Sequence, residues 1–444
     1  MTTAAPPRLP PGPRLPRVVQ TAGFIFGGPR FLEACRRRYG SAVTFSTVFD
    51  SRFVMLFEPT LVKELFQGSN EQLHAGEANA LLGPVLGERS VLLLDGAEHL
   101  RHRRLMLPPF HGARMQSYAD TMRAETDLEI DSWPVGEPFT MLRSMQALTL
   151  RVIVQAVFGY QPGADEQELR ARLRAMVEPL SRPRGLPLML LLGRFGSDRG
   201  TAHEFEQRRR AVDELLFAEI TRRRQDPDLA ERDDVFSALL LAEDEHGERL
   251  TDKEVRDELL TLLLAGHETT ATGLAWTFDL LLHTPEVLAK VQETRDDGYL
   301  DAVVKESLRV RPVIAGVGRV VRGEPFRLNG YVIPPGVEIN PSIRMIHRRA
   351  DLYPDPARFD PERFLGENPP DTYTWVPFGG GTRRCLGASF ALMEMRVVLA
   401  RVLERASLAA ADPELDEVRF SAITLSPRNG VRVRQTRAPA IGED

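Results

Sequence analysis

Phe378-Gly379-Gly380-Gly381-Thr382-Arg383-Arg384-Cys385-Leu386-Gly387 is the stretch that decides how this chain is read. Three consecutive glycines precede a thiol, and an apolar run of helical spacing, Ala388 to Leu403, follows it. Glycines let the backbone fold tightly, so that amide N–H groups can converge on one sulfur. A helix N-terminus adds positive potential at the same place. Both effects favour the thiolate, the form of cysteine that binds metal. A lone cysteine is ordinarily a buried thiol, and a glycine-rich turn before a helix could hold one. The full pattern, Phe-x-x-Gly-x-x-x-Cys-x-Gly with a helix behind it, outweighs that reading.

Upstream, Glu306-Ser307-Leu308-Arg309 begins 79 residues before Cys385. Positions three apart share a helix face, so Glu306 and Arg309 can pair. Arg311-Pro312 then stops the helix. Between that helix and the cysteine, Asp360-Pro361-Glu362-Arg363-Phe364 supplies a further arginine, Arg363. Glu-x-x-Arg alone would be read as a surface salt bridge.

Earlier still comes Ala265-Gly266-His267-Glu268-Thr269-Thr270. It lies in a long expected helix that opens with Thr251-Asp252-Lys253-Glu254, a capping-box pattern. Gly266 weakens the helix locally. The Thr269 hydroxyl can turn back to the carbonyl of Ala265, four residues earlier, and bend the helix into a groove. The plainer alternative is a glycine-kinked core helix whose polar residues are satisfied locally. His99 and Arg103, four apart on another expected helix, can reach one anion.

The chain has 444 residues, 43% hydrophobic and 27% charged, which places it among ordinary globular proteins. A net charge of −5 and a pI near 6.1 give no global attraction to nucleic acid. The two cysteines, Cys35 and Cys385, provide neither a disulfide framework nor the four ligands of an iron–sulfur cluster. No run of 18 apolar residues occurs and no secretory leader is visible, so a soluble, cytoplasmic protein without a transmembrane anchor is expected.

Residues 1–16, rich in Pro and Arg, should be extended, and 17–444 should form a single domain. A short helix carrying Cys35 ends near Gly40, and residues 42–57 read as a hairpin around Phe49-Asp50-Ser51. Residues 60–310 are mostly helical by periodicity, including Glu166 to Val177 and Ala202 to Arg224. Asn329-Gly330 between two short apolar runs is a hairpin turn. Phe420 to Leu425 and Val431 to Val433 flank Ser426 to Gly430 in the same way. The fold class is therefore mainly α with a minor antiparallel β part (α+β).

The cysteine loop, the Glu306–Arg309 helix, the Arg363 run and the Gly266–Thr269 segment resemble the landmarks of the cytochrome P450 superfamily. They occur in the same order and span nearly the whole chain. The resemblance is to soluble bacterial-type haem-thiolate monooxygenases. It implies a long central helix over a haem b (iron protoporphyrin IX) whose iron is held by Cys385. A thiolate ligand pushes electron density toward bound dioxygen and favours O–O cleavage. Ala265, Phe378, Gly379 and Gly387 would lie against the macrocycle. Glu268 and Thr269 match the acid–alcohol pair that relays protons, while His267 would turn away. His99, Arg103, Arg319 and Arg383 match positions that hold the haem propionates. Glu306, Arg309 and Arg363 match a buried network beneath the haem.

The activity so implied is insertion of one oxygen atom from O2 into a C–H bond of a small molecule. No flavin or iron–sulfur domain is found, so a separate ferredoxin with an NAD(P)H-dependent ferredoxin reductase is expected, and a monomer. Arg101, Arg104, Arg384 and Arg396 form a candidate docking patch for an acidic carrier. The alternative is a solvated arginine-rich face, because only four of the 57 basic residues are lysines. Family landmarks place the substrate pocket at 74–94, 178–197, Leu262 and Ala265, Val313 to Val317 and Ile423 to Leu425. Leu81, Leu82, Leu92, Leu93, Leu262, Val313, Ile314 and Leu425 make it aliphatic, which suits a terpenoid, steroid or fatty acid, although such a stripe can equally be plain core. Competing readings are a peroxygenase driven by hydrogen peroxide and a non-catalytic haem sensor. A zinc site built on His99 and His102 is a third.

Overall fold

The computed structural model describes residues 9–49, 52–110, 114–159, 164–181, 201–421 and 423–436. The 178–197 part of the expected pocket therefore lies largely outside the described residues.

The architecture is built around one helix, Asp252–Leu282, of 31 residues, about 46 Å long at 1.5 Å per residue. Its start is fixed by the capping box: the Thr251 N–H donates to Glu254 Oε2 at 2.8 Å, and the Glu254 N–H donates to Thr251 Oγ1 at 3.3 Å. Most of its residues from Val255 onward are buried on every side, as expected of a helix that is apolar all round. It packs most extensively on helix Met141–Phe158 and also on Ala388–Arg405 and Asp297–Val310. These helices and Arg114–Asp131 share the largest hydrophobic core.

A five-stranded sheet runs in the order Ala42–Phe45, Phe53–Leu56, Glu338–Pro341, Arg319–Val321, Leu73–His74. Its pairs are antiparallel except Phe53–Leu56 with Glu338–Pro341, which is parallel. A second, smaller core lies between this sheet and helix Pro59–Phe66. Cys35 sits on helix Gly28–Tyr39, buried against Val43, Phe45, Phe57 and Met345, where it serves as packing. The 326–333 hairpin turns as expected: Asn329 and Gly330 both take positive φ, 44° and 79°, and the flanking strands pair antiparallel.

The C-terminal strands differ from the expectation. The chain reverses inside the segment 420–425, so that Val418–Ser421 pairs with Thr424–Pro427 and Phe420 faces Leu425 across the pair. The Thr424 hydroxyl donates to the Ser421 carbonyl at 2.9 Å and ties that turn. Arg432–Gln435 leaves this hairpin and joins Pro138–Thr140 and Leu408–Ala410. Positive φ at Gly430 and Val431 redirects it, and the Asp416 carboxylate accepts the N–H groups of Asn429 and Val431.

Candidate haem-thiolate site

Cys385 ends a loop whose shape needs its glycines. Gly379 and Gly381 both have φ of 65°, a region that L side chains rarely adopt. A Cβ at Gly381 would meet the Phe66 carbonyl oxygen at 2.1 Å, and one at Gly380 would meet the Phe66 ring at 2.3 Å. The Cys385 N–H donates to the Phe378 carbonyl at 2.9 Å, closing the loop just before helix Ala388–Arg405. The Phe378 ring packs edge-on against Trp375 at 5.9 Å. Nothing lies within 4 Å of a Cβ built on Gly387. Cys385 itself is accessible to solvent, yet the protein around it is dense enough that burial pushes its thiol up. Both observations hold for a side chain that lines an internal space. The Gly387 N–H, Arg103 and Arg384 pull in the opposite direction, toward the thiolate.

Beside this loop, His99, Arg103, Arg319 and Arg383 gather around one point. His99 and Arg103 lie on helix Gly96–Met106, and Arg319 opens a strand of the large sheet. Arg319 is buried and donates to its neighbouring carbonyl, Gly318 O, at 2.7 Å, with its guanidinium over the Phe66 ring. Arg383 donates to Val91 O at 3.2 Å, to Leu94 O, and to Asp95 at 2.5 Å. Burial, and then repulsion from Arg383, Arg103 and Arg319, lowers the His99 pKa to about 3. Burial lowers Arg319 and Arg383 to about 10 each, opposed in both cases by Asp95.

Of these three guanidinium groups and the imidazole, only Arg383 is ion-paired to a described carboxylate, Asp95, which Arg319 also feels. His99 Nδ1 and Arg383 Nε are buried with no hydrogen-bond partner. Orphaned buried donors and surplus positive charge are costly unless an anion completes them. Beside an open thiol on a glycine cradle, this donor set fits a flat iron macrocycle carrying two carboxylates.

On the central helix, Ala265 is exposed although most of the helix around it is buried. The Thr269 hydroxyl donates to the Ala265 carbonyl at 2.7 Å, as the spacing predicts, and Thr270 does the same to Gly266 at 2.9 Å. Thr149 donates to the His267 carbonyl at 3.0 Å. Three successive carbonyls therefore receive side-chain hydroxyls, and the helix runs on without interruption. Glu268 accepts from Gln146 Nε2 at 2.9 Å. The His267 ring turns to the Leu263 carbonyl at 2.9 Å and is buried.

Glu306 and Arg309 close on each other, while Arg363 Nε, beside them, makes no hydrogen bond. Arg309 grips Glu306 with two hydrogen bonds, 2.7 and 2.8 Å, and both side chains are wholly buried. The Asp360 N–H adds a bond at 3.0 Å, and Arg363 Nε stands 3.5 Å from the same carboxylate. The remaining Arg309 donors reach His347 O at 2.7 Å, Pro356 O at 3.0 Å and Arg358 O at 3.1 Å. Burial pushes the Glu306 carboxyl up, opposed chiefly by Arg309.

The aliphatic residues scatter more widely. Val313 and Leu425 are buried, and Leu82, Leu92, Leu262 and Ile314 are half-buried, whereas Leu81 is exposed on a one-turn helix. The Leu425 N–H donates to Val313 O at 2.7 Å, and Trp276 donates to Leu425 O at 2.9 Å, which pins the C-terminal hairpin to the Val313–Ile314 turn.

Two expectations are corrected. The arginine patch is largely neutralised: Arg101 is bound to Asp244 at 2.5 Å, Arg104 stands 3.5 Å from Glu245 and Arg396 stands 3.8 Å from Asp297, which leaves Arg384. The zinc reading of His99 and His102 falls because both His102 nitrogens are taken, by Glu258 at 2.7 Å and Glu254 at 3.3 Å. Another group of possible ligands, His74, Glu77 and Asp95, is already completed by arginines: Arg322 holds Glu77 and Arg383 holds Asp95.

Sequence reasoning missed Asp95, Gln146, Glu258 and His347. Asp95 and Glu258 left a trace: an acid preceding a helix and an acid inside an apolar helical run. Gln146 and His347 left none, because their partners are 122 and 29 residues away. Burial pushes Glu258 up to about 7.

A sequence profile described as cytochrome P450 matches residues 6–431. A protein from Mycobacterium tuberculosis and Mycobacterium bovis, provisionally named cytochrome P450 135B1, is 42% identical over 435 residues, covering 96% of this chain and 91% of the relative. The M. tuberculosis protein provisionally named cytochrome P450 135A1 is 39% identical over 446 residues, covering 98% of this chain and 97% of its own. Among solved structures, a cyanobacterial CYP120A1 with bound retinoic acid superposes with a TM-score of 0.79 at 24% identity, covering 97% of this chain and 99% of that one. The haem domain of cytochrome P450DA gives 0.80 at 22% identity, covering 97% and 98%. The chain belongs to the cytochrome P450 family and is a haem-thiolate monooxygenase.

Proposed function

We propose that this chain binds haem b through the Cys385 thiolate and hydroxylates a lipophilic small molecule of terpenoid, steroid or fatty-acid character. Electrons would come from a separate ferredoxin and its NAD(P)H-dependent reductase. When bound, the haem supplies dioxygen activation. The chain's own residues do the rest. His99, Arg103, Arg319 and Arg383 seat the two carboxylates of the cofactor, and the unpartnered donors of His99 and Arg383 are completed there. Ala265 keeps the helix surface low where dioxygen must fit. Thr269 holds a hydroxyl at that same turn, and Glu268, one residue before it, is the acid that resupplies its proton. Leu262, Val313, Ile314 and Leu425 present aliphatic surface to the substrate.

The observation that carries this reading is the opening at Ala265 in a helix mostly buried beyond Val255, with the Thr269 hydroxyl bound to its carbonyl at 2.7 Å. The test is turnover of a lipophilic compound, first found by shifts in the ferric absorption spectrum, with a surrogate ferredoxin system. Thr269→Ala should lower product formed per O2 consumed by about tenfold or more, because proton delivery is impaired. Unchanged coupling would remove Thr269 from the relay. Turnover supported equally well by hydrogen peroxide alone would replace the reading with a peroxygenase.

A further inference from the structure

The first helix of the described chain is packed inside out. It comprises Arg17–Ala22 and a π-helical continuation, Gly23–Gly27. Its uncharged polar residues, Gln20 and Thr21, face the protein. Gln20 accepts the Ser46 N–H at 3.0 Å and donates to Leu15 O at 2.9 Å. Thr21 accepts the Val48 N–H at 3.1 Å and donates to Arg17 O at 2.8 Å. Four of its apolar residues face solvent: Val18 is 69% exposed, Val19 47%, Ile25 63% and Phe26 87%. Positions 18, 19, 22, 25 and 26 have the spacing of a core-facing stripe, and here that stripe has no core.

The hairpin 42–56 extends the patch. Phe24 wedges the helix onto it, with ring contacts to Phe45 at 5.0 Å and Phe53 at 5.7 Å. The Thr21–Val48 bond places the hairpin tip beside the helix, where Val48 is 52% exposed and Phe49 81%. Of the 14 exposed large apolar side chains among the described residues, seven lie between Leu15 and Phe49. A patch so concentrated marks a contact surface.

Its charge selects the partner. Residues 9–49 hold six arginines and one acid, Glu33, in a chain whose net charge is −5. Glu33 is taken by Arg36 and Arg37. Arg14, Arg17 and Arg30 are exposed, with no ion pair to any described residue. A second copy of the chain would bring the same positive charge and be repelled. An anionic lipid surface offers apolar depth and negative headgroups together.

We infer that the outward face of helix Arg17–Gly27 and the hairpin tip at Val48–Phe49 form a monotopic contact for an anionic lipid bilayer. No helix among the described residues is long and apolar enough to cross a membrane, so the contact lies in the interface plane. It is independent of the substrate proposed above.

The test is sedimentation of the purified haem-loaded chain with vesicles of phosphatidylglycerol or of phosphatidylcholine. Binding to phosphatidylglycerol should be stronger by about tenfold or more and should weaken with salt. The double variant F26D/F49D should lose about tenfold or more of that binding. R14Q/R17Q/R30Q should lose the preference for the anionic vesicles and the salt dependence. An unchanged carbon monoxide spectrum of the reduced protein shows that each variant is folded. Wild-type chain that stays in the supernatant with phosphatidylglycerol overturns the inference. So does a double variant that binds as the wild type does, or self-association that F26D/F49D abolishes without any vesicle binding.

Discussion

Glu306 and Arg309 close on each other beside Arg363, whereas His99, Arg319 and Arg383 do not close. Both groups are buried and both are rich in arginine. In the first, every Glu306 oxygen and most Arg309 donors find partners in the chain. In the second, Arg319 has a single hydrogen bond to a carbonyl, His99 Nδ1 has none, and Asp95 is the one carboxylate at hand. Burial of charge costs several kcal/mol per ion unless it is compensated. A closed cluster therefore serves the fold, and an open one serves a ligand. The distinction can be broken by substitution.

The largest effect is expected at Arg309. Arg309→Met strands the Glu306 carboxylate and should cost about 3–5 kcal/mol in unfolding free energy, measured in urea. Replacing both partners by Met and Leu should recover much of that loss, since no charge is then left alone. A single variant that costs less than about 1 kcal/mol would show that the cluster is not a structural lock.

Next is His347, whose carbonyl accepts from Arg309 and whose Nε2 accepts the Val376 N–H at 3.0 Å. Burial, and then the Arg309 charge, lowers its pKa to about 3. The imidazole is neutral in the folded chain and takes a proton on unfolding below its ordinary value. The sign follows: stability present above about pH 6.5 is lost as pH falls toward 3, because the unfolded chain binds the proton first. Between pH 7 and pH 4 the loss should be on the order of 3 kcal/mol. His347→Gln, which keeps an acceptor and cannot titrate, should flatten that part of the profile. An identical acid slope in the variant would remove His347 as its source.

The two clusters were also unequally legible in the sequence. Glu306 and Arg309 are three apart on one helix, so their pairing is a local rule. Arg363 came through its Pro-Glu-Arg-Phe context. The cysteine loop was legible because glycine marks backbone that other residues cannot adopt, and positive φ at Gly379 and Gly381 is the physical form of that mark. The capping box and the Asn329-Gly330 turn were legible for the same local reason. What the sequence hid was tertiary. Nothing near Arg101 announces Asp244, 143 residues away, so the docking patch looked freer than it is. Asp416 redirects the last strand from outside the stretch that was read as a hairpin. The outward stripe at Val18–Phe26 has core periodicity, and only the packed structure shows that no core meets it.

Arg319→Met sharpens the comparison most finely because its two effects run in opposite directions. The guanidinium is buried, with one hydrogen bond to a carbonyl and a ring beneath it, and Met fills similar volume without charge. In haem-free protein the substitution should be neutral or stabilising, since an incompletely compensated buried cation is removed. In the haem-loaded protein the same change removes one donor to a carboxylate, so haem should transfer to an apo-globin acceptor about tenfold faster. A structural cation would instead lower the stability of both forms together. If haem-free Arg319→Met unfolds at markedly lower urea and haem retention is unchanged, Arg319 belongs with Arg309 as part of the lock, and the open cluster shrinks to His99, Arg103 and Arg383.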